Sequence, residues 1–193
     1  MENFKKMVSR SLVMGYTLGL LSLAMGHAQM YVDRQGVVVF EASEQLFEPV
    51  KAKNGAVSVL FDASDQTLAS LALMRGFEFE NALMQEHFNE NYIESDRYPK
   101  AMFTGKILDF DPAMAGGGPR EYTIKGRLEI RGVAREIQPR VLIQKNGEIL
   151  SLHGSFKLRP QDFNIEIPGI VANKIAKEVL VTLDFKLKED ERP

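Results

Sequence analysis

Regular alternation of apolar and polar side chains is the feature that most constrains this chain. Residues 122–131 read YTIKGRLEIR, with apolar or small residues on one face and Thr, Lys, Glu and Arg on the other. Residues 179–187 repeat the pattern near the end of the chain, with Val, Val, Leu, Phe and Leu at every second position. A period of two is typical of a β-strand with one buried and one exposed face.

Shorter stretches of the same kind extend the β pattern over most of the chain. Asn146-Gly147 is a strong signal for a tight hairpin between two of them. With no internal repeat, about eight strands in total predict an antiparallel barrel or a sandwich. The remaining predicted strands are residues 37–42, 56–61, 68–74, 102–110, 137–143 and 150–158.

One segment, residues 81–93, breaks the alternation and predicts a short amphipathic helix. Polar residues occupy its opposite face, and Asn81 is a suitable cap for its first turn. We expect this helix to lie over or across the sheet. Its less polar side chains recur at helical spacing, at Leu83, Met84, His87, Phe88 and Tyr92.

The N-terminus has the three parts of a secretory signal peptide, which we predict over residues 1–28. Three basic residues precede an uncharged, mostly apolar stretch at residues 12–25, and Gly26 and Ala28 supply the small residues of a cleavage site. The apolar stretch is shorter than the roughly 20 residues that cross a bilayer. We therefore expect a soluble periplasmic or secreted domain at residues 29–193, without stable membrane insertion. An uncleaved N-terminal anchor is the alternative.

Composition excludes several classes of function. The chain has 193 residues, no Cys and a net charge of −2. The absence of Cys excludes disulfide frameworks, thiolate zinc sites and cysteine nucleophiles. The near-neutral charge gives no basic patch for nucleic acid. Beyond the predicted signal peptide only His87 and His153 remain, and two distant His make a poor metal site. We expect no metal and no cofactor.

Groupings typical of catalysis are also missing from the sequence. It contains no Gly-x-Ser-x-Gly elbow, and its paired carboxylates fall at predicted turns or in the tail. Arg97, Arg159 and Asp162 could form a structural ion-pair network or meet an anionic headgroup. We therefore predict no enzymatic activity. An enzyme using His87 or Asp162 as acid or base is one alternative, and a structural or stress-response module that binds a protein partner is another.

Four short motifs stand out along the chain. They are RYPKAMF at residues 97–103, GRLEIRGVAREI at 126–137, LRPQDFNI at 158–165 and VLVTLDF at 179–185. In this order they resemble the motifs of the YceI family of exported polyisoprenoid-binding proteins with a lipocalin-like fold. The sequence departs from the family pattern at Pro160 and Asn164, where a small polar residue and Gly are usual.

The resemblance implies an eight-stranded lipocalin-like barrel that holds an isoprenoid lipid, of quinone or polyprenyl type, in its lumen. Buried apolar area contributes about 25 cal/mol per Å², so such a chain needs no charged partner. His87 could donate to a quinone carbonyl or a diphosphate, or be an ordinary helix residue. A homodimer is left open. The candidate lining is Ile124, Leu128, Leu152, Phe156, Val181 and Leu183, and the candidate mouth is Phe77, Phe79, Leu83, Met84, Phe88 and Phe103; each could also be ordinary core.

Overall fold

Long antiparallel strands account for most of the fold in the computed structural model, which describes residues 29–43, 49–169 and 175–190. The predicted signal peptide at residues 1–28 lies outside these ranges. The strands are β1 (Met30–Ser43), β2 (Lys51–Asp62), β3 (Thr67–Leu73), β4 (Glu78–Phe79), β5 (Lys100–Ile107), β6 (Arg120–Ile130), β7 (Val133–Ile137), β8 (Arg140–Asn146), β9 (Ile149–Leu158) and β10 (Ile175–Glu189).

Eight of these strands close into a barrel. Their order is β1-β10-β9-β8-β6-β5-β3-β2, and β2 pairs back onto β1. All the pairings are antiparallel, and the two remaining strands attach to this ring, β4 to β2 and β7 to β6. Closure removes the exposed edges that an open sheet would leave. The prediction of a mainly β, eight-stranded antiparallel barrel with one short helix is confirmed, and the sandwich alternative is wrong.

The strand predicted at residues 137–143 is divided into β7 and β8. Gln138 and Pro139 separate the two, and Pro has no N–H to donate to a ladder. The register on β6 is nevertheless unchanged across the break, with Ile137 opposite Gly126 and Arg140 opposite Thr123. β8 continues onto β9, whereas β7 extends the wall near one end of the barrel with β6 as its one partner among the described strands.

The turns shift two other predicted strand ends and the predicted hairpin. β3 ends at Leu73, where a 3-10 turn (Met74–Gly76) begins. β5 ends at Ile107 rather than at residue 110, because the following turn holds Asp109 at φ 55. The predicted hairpin joins β8 to β9, and its two turn residues are Gly147 and Glu148. Two further 3-10 turns are Pro112–Gly117 and Pro160–Phe163.

The predicted helix is present and begins at its predicted cap. α1 (Ala82–His87) starts after Asn81, whose side-chain oxygen accepts from the backbone N–H groups of Leu83 and Met84 at 3.0 and 3.2 Å. The chain continues as one wider turn (Phe88–Tyr92) that ends when the N–H of Ile93 donates to the carbonyl of Phe88. None of the helices in the described ranges is long and apolar enough to cross a membrane.

The core packs one end of the barrel with buried aromatic and aliphatic side chains. There the Phe61 ring lies 6.3 Å from Tyr31 and 5.1 Å from Phe110, which in turn lies 5.4 Å from Tyr122. We call this the closed end. The opposite end, where α1 lies, is hollow. The fully buried aliphatic side chains around the closed end are Ile107, Ile143, Leu152 and Leu187.

Candidate functional site

A cavity of about 590 Å³ occupies the half of the barrel beneath α1. Its volume falls in the range of small-molecule binding sites. Inward-facing residues of β1, β2, β3, β5, β6, β7, β9 and β10 form its walls, and the segment from Met74 to Ile93 covers its mouth. The alternation that predicted the strands therefore supplies an apolar inner surface on every side.

The lining contains almost no ionisable side chains. No Asp, Glu, Lys or Arg belongs to it within the part of the chain that the structure describes, and its polar side chains are those of Ser70, Asn81, His87 and Tyr92. Burial raises the pKa of the Tyr92 phenol above its ordinary value, so this group is a neutral hydrogen-bonding group at neutral pH. Such a surface suits an uncharged apolar ligand with a small polar end.

Four phenylalanine rings pack together at the mouth, and we call them the aromatic roof. Phe88 from the turn after α1 stacks on Phe40 of β1 with ring centroids 5.4 Å apart. The ring centroids of Phe79 and Phe77 lie 5.1 and 6.0 Å from that of Phe88. Aromatic pairs at these separations contribute about 0.5–1.5 kcal/mol beyond their buried area. The aromatic roof therefore fixes the helical segment on the barrel rim, and one side of the roof faces the cavity.

Most of the predicted site residues line this one cavity. Phe103, predicted at the mouth, lies deeper, on the wall formed by β5, where its ring reaches Gly105 and Gly126. Contact of any of them with a ligand stays a prediction. The residues in the lining are Phe77, Phe79, Leu83, Met84, His87, Phe88, Phe103, Ile124, Leu128, Phe156, Val181 and Leu183.

Leu152 is the exception, because it belongs to the closed end instead of the lining. It is 1% exposed and pairs with Ile143 on one side and Phe185 on the other. Its place in the alternation correctly indicated an inward side chain. Alternation gives the facing of a residue but not its depth along the barrel, so the pattern could not separate Leu152 from Phe156.

Several lining residues were missed by the sequence reasoning. Phe40 is at the centre of the aromatic roof, and Val38 and Ala42 line the same wall. These three alternate within the predicted strand at residues 37–42, so the same rule that selected the other strands could have found them. Ile167 and Ile175 also line the cavity. They lie between the predicted strands at residues 150–158 and 179–187, where no periodicity marks them.

The residues considered for acid–base chemistry do not come together. His87 lies exposed at the mouth, and His153 faces outward. Asp162 accepts from the guanidinium of Arg159 through two bonds of 3.1 Å and is not part of the lining. Within the described ranges, no three His, Asp or Glu side chains are grouped so that they could hold a metal ion.

Of the three residues considered for an ion-pair network, Arg159 and Asp162 pair with each other, whereas Arg97 lies 3.8 Å from Glu94. A polar clamp stands beside the mouth. Arg131, in the turn between β6 and β7, donates to the Glu94 carboxylate and to the carbonyl of Asn164. Its guanidinium lies 5.8 Å from the Tyr98 ring, and Arg97 lies 5.1 Å from that ring. The clamp joins the segment after α1, the β6–β7 hairpin and the Pro160–Phe163 turn. Nothing in the alternation indicated it.

Asn164 shows why this corner tolerates a departure from the family pattern noted above. Its φ is 56°, in the left-handed region where Gly is usual. Asn is one of the few other residues that adopts this region readily. Asn164 can therefore adopt the conformation in which its carbonyl accepts from Arg131, although it is not a glycine.

Comparison with known proteins shows which family and which solved structures this chain is similar to. The family model for the YceI-like domain matches residues 28–187. A comparison with the curated proteins finds no match. Among solved structures, a polyisoprenoid binding domain from Saccharophagus degradans, implicated in plant cell wall breakdown, superposes with a TM-score of 0.71 at 14% identity, over 85% of this chain and 100% of that one.

Two further solved structures share the fold. BcnA of Burkholderia cenocepacia has a TM-score of 0.63 at 20% identity and covers 78% of this chain and 95% of its own. The YCEI protein of Campylobacter jejuni has a TM-score of 0.62 at 17% identity, with 77% and 90% covered. At these identities the likeness shows the common barrel.

Proposed function

The chain belongs to the YceI-like domain family, and from this premise we propose that its barrel binds one isoprenoid lipid without chemically changing it. The observation that carries the proposal is the cavity of about 590 Å³, whose lining is apolar and, among the described residues, holds no Asp, Glu, Lys or Arg. Apolar burial alone contributes about 25 cal/mol per Å², so a long hydrocarbon chain is stabilised along the whole cavity. The polyisoprenoid binding domain of S. degradans, which shares the fold, supports this class of ligand.

The polar end of the lipid would lie at the mouth. His87 and Tyr92 are the lining side chains there that can donate to a quinone carbonyl or to the oxygens of a polyprenyl headgroup. The His87 side chain is exposed at the mouth, so it can turn toward the polar end of a ligand. Few such contacts are needed, because they orient the ligand rather than hold it.

Binding rather than catalysis is supported by the separation of the candidate acid–base groups. His87 belongs to the mouth, whereas Asp162 is engaged by Arg159 outside the lining. An acid–base pair must reach the same substrate atoms to act together. We propose further that the protein carries or stores its lipid in the periplasm or outside the cell, and the predicted signal peptide at residues 1–28 supports this location.

The first test is native mass spectrometry of the protein purified from its source, with an organic extract of the same sample. We expect a stoichiometric added mass that the extract identifies as an isoprenoid. The same spectrum reports whether the chain forms the homodimer left open above. Absence of the added mass, together with failure to bind added quinones and polyprenyl phosphates, would contradict the proposal.

A matched pair of variants separates lumen binding from adsorption to the outer surface. Leu183 lines the cavity, whereas Leu180 of the same strand is 40% exposed and faces outward. Leu183→Glu places a carboxylate against the lipid chain and should weaken binding at least about tenfold, because an unpaired buried charge is costly. Leu180→Glu should bind as the wild type does. Equal binding by both variants would place the lipid outside the lumen.

A further inference from the structure

Two recesses in the inner wall of the barrel, each left by glycine, are filled by phenylalanine rings. Gly105 of β5 and Gly126 of β6 are paired in register and face inward. A Cβ on either glycine would stand 2.7 or 2.6 Å from the Cζ atom of Phe103. A Cβ on either glycine would also stand 2.5–2.7 Å from backbone atoms of the paired strand, so no side chain fits there and the Phe103 ring lies over bare backbone.

The opposite wall repeats the arrangement with a single glycine. A Cβ on Gly36 of β1 would stand 2.8 Å from the Cδ1 atom of Phe185 in β10. In the barrel order, β5 and β6 are separated from β1 and β10 by two strands on either side. The two rings thus belong to opposite walls.

These rings form part of the floor of the cavity, together with Leu68 and Ile124, which lie opposite Gly105 and Ile107 on the neighbouring strands. Phe103 and Phe185 both line it, whereas the next residues below them on their strands with buried side chains, Ile107 and Leu187, are 0% exposed and do not. A ligand that enters from the mouth therefore meets the two rings before it meets the packed closed end.

We propose that Phe103, seated on the Gly105–Gly126 pair, determines how long an isoprenoid chain the barrel accepts. The inference rests on the proposed function and deepens it. The side chains below, such as Ile107, Leu152 and Leu187, are at most 1% exposed, so a chain that already reaches this floor has no room to add another unit inside the barrel. The ring is about the size of one isoprene unit, and its removal would leave the glycine recess open to the cavity.

Competition among linear prenols that differ by one isoprene unit tests this in a single native mass spectrum. The wild type should show a longest homologue above which the bound fraction falls. Phe103→Ala should move this limit up by one unit and favour that homologue about tenfold over its wild-type level, because more apolar surface is buried. Phe110→Ala, which empties a comparable site at the closed end outside the lining, should keep the wild-type limit.

The outcomes separate the two proposals. An unchanged length limit in Phe103→Ala, with prenols still bound, overturns the role of Phe103 and leaves lipid binding standing. A wild type that binds no prenol of any length overturns the length limit, and lipid binding is overturned with it when added quinones and polyprenyl phosphates also fail to bind. Phe103→Leu serves if the Ala variant does not fold. It should shift the preference toward longer chains by less, and an unchanged limit in this variant also overturns the proposal.

Discussion

The two ends of the barrel are built from the same alternating strands, yet they are held together differently. At the closed end Tyr31, Phe61 and Phe110 are at most 5% exposed and their rings contact one another. At the mouth the aromatic roof leaves Phe40 and Phe88 partly exposed beside a cavity. One end is therefore stabilised by close packing. The other gives up packing contacts to keep an open volume.

The mouth compensates with contacts around its rim. Ile93, Ile130 and Ile165 line the cavity, and their chain neighbours Glu94, Arg131 and Asn164 form the polar clamp. The clamp lies outside the volume that a ligand would need. It can therefore hold three segments in place without filling the cavity that they surround.

The largest effect that this comparison predicts is at the closed end. Phe61→Ala should lower the free energy of unfolding by about 3–5 kcal/mol, because the ring is fully buried and its neighbours cannot collapse into the space. Phe88→Ala should cost only about 1–2 kcal/mol, because the ring is half-buried and already borders a cavity. Urea unfolding of both variants provides the measurement. Equal losses would show that the mouth is packed as tightly as the closed end.

A smaller effect is predicted at the clamp. Arg131→Met keeps an apolar stem but removes the bonds to Glu94 and Asn164, and we expect a loss of about 1–2 kcal/mol. Arg131 is only 22% exposed and Glu94 34%, so solvent screens the pair less than a surface pair. Hydrogen exchange in the segment after α1 should also become faster, because the clamp anchors it.

Arg75→Met is the matched control for the clamp. Arg75 pairs with Asp96, but the two side chains are 63% and 89% exposed. Exposed ion pairs contribute about 0–1 kcal/mol, so this variant should stay close to the wild type. A loss as large as that of Arg131→Met would mean that the clamp acts only through surface charge.

The alternation of side chains predicted the barrel and most of its lining, because both depend on which face of a strand a residue occupies. Phe156, Val181 and Leu183 were found in this way. Depth along the barrel was not predictable, as Leu152 shows, because it depends on strand tilt and on how the ends are filled. The clamp was not predictable either. Glu94 and Arg131 are distant in sequence, and only barrel closure brings them together.

The smallest predicted effect concerns Tyr92 at the mouth. Burial raises the pKa of its phenol above the ordinary value of 10.0, so the folded protein holds this proton more tightly than the unfolded chain does. The resulting stability is fully present below the unfolded pKa and is lost as the pH rises through the folded pKa. Stability measured by urea unfolding should therefore fall above about pH 10 by more in the wild type than in Tyr92→Phe.

An isoprenoid that fills the cavity would remove water from the same phenol, raise its pKa further and move the alkaline loss of stability to higher pH. If the ligand left the tyrosinate absorbance curve unchanged, it would not reach the mouth beside Tyr92. The ligand would then lie deeper in the barrel, and the open volume at the mouth would not be the part of the cavity that it fills.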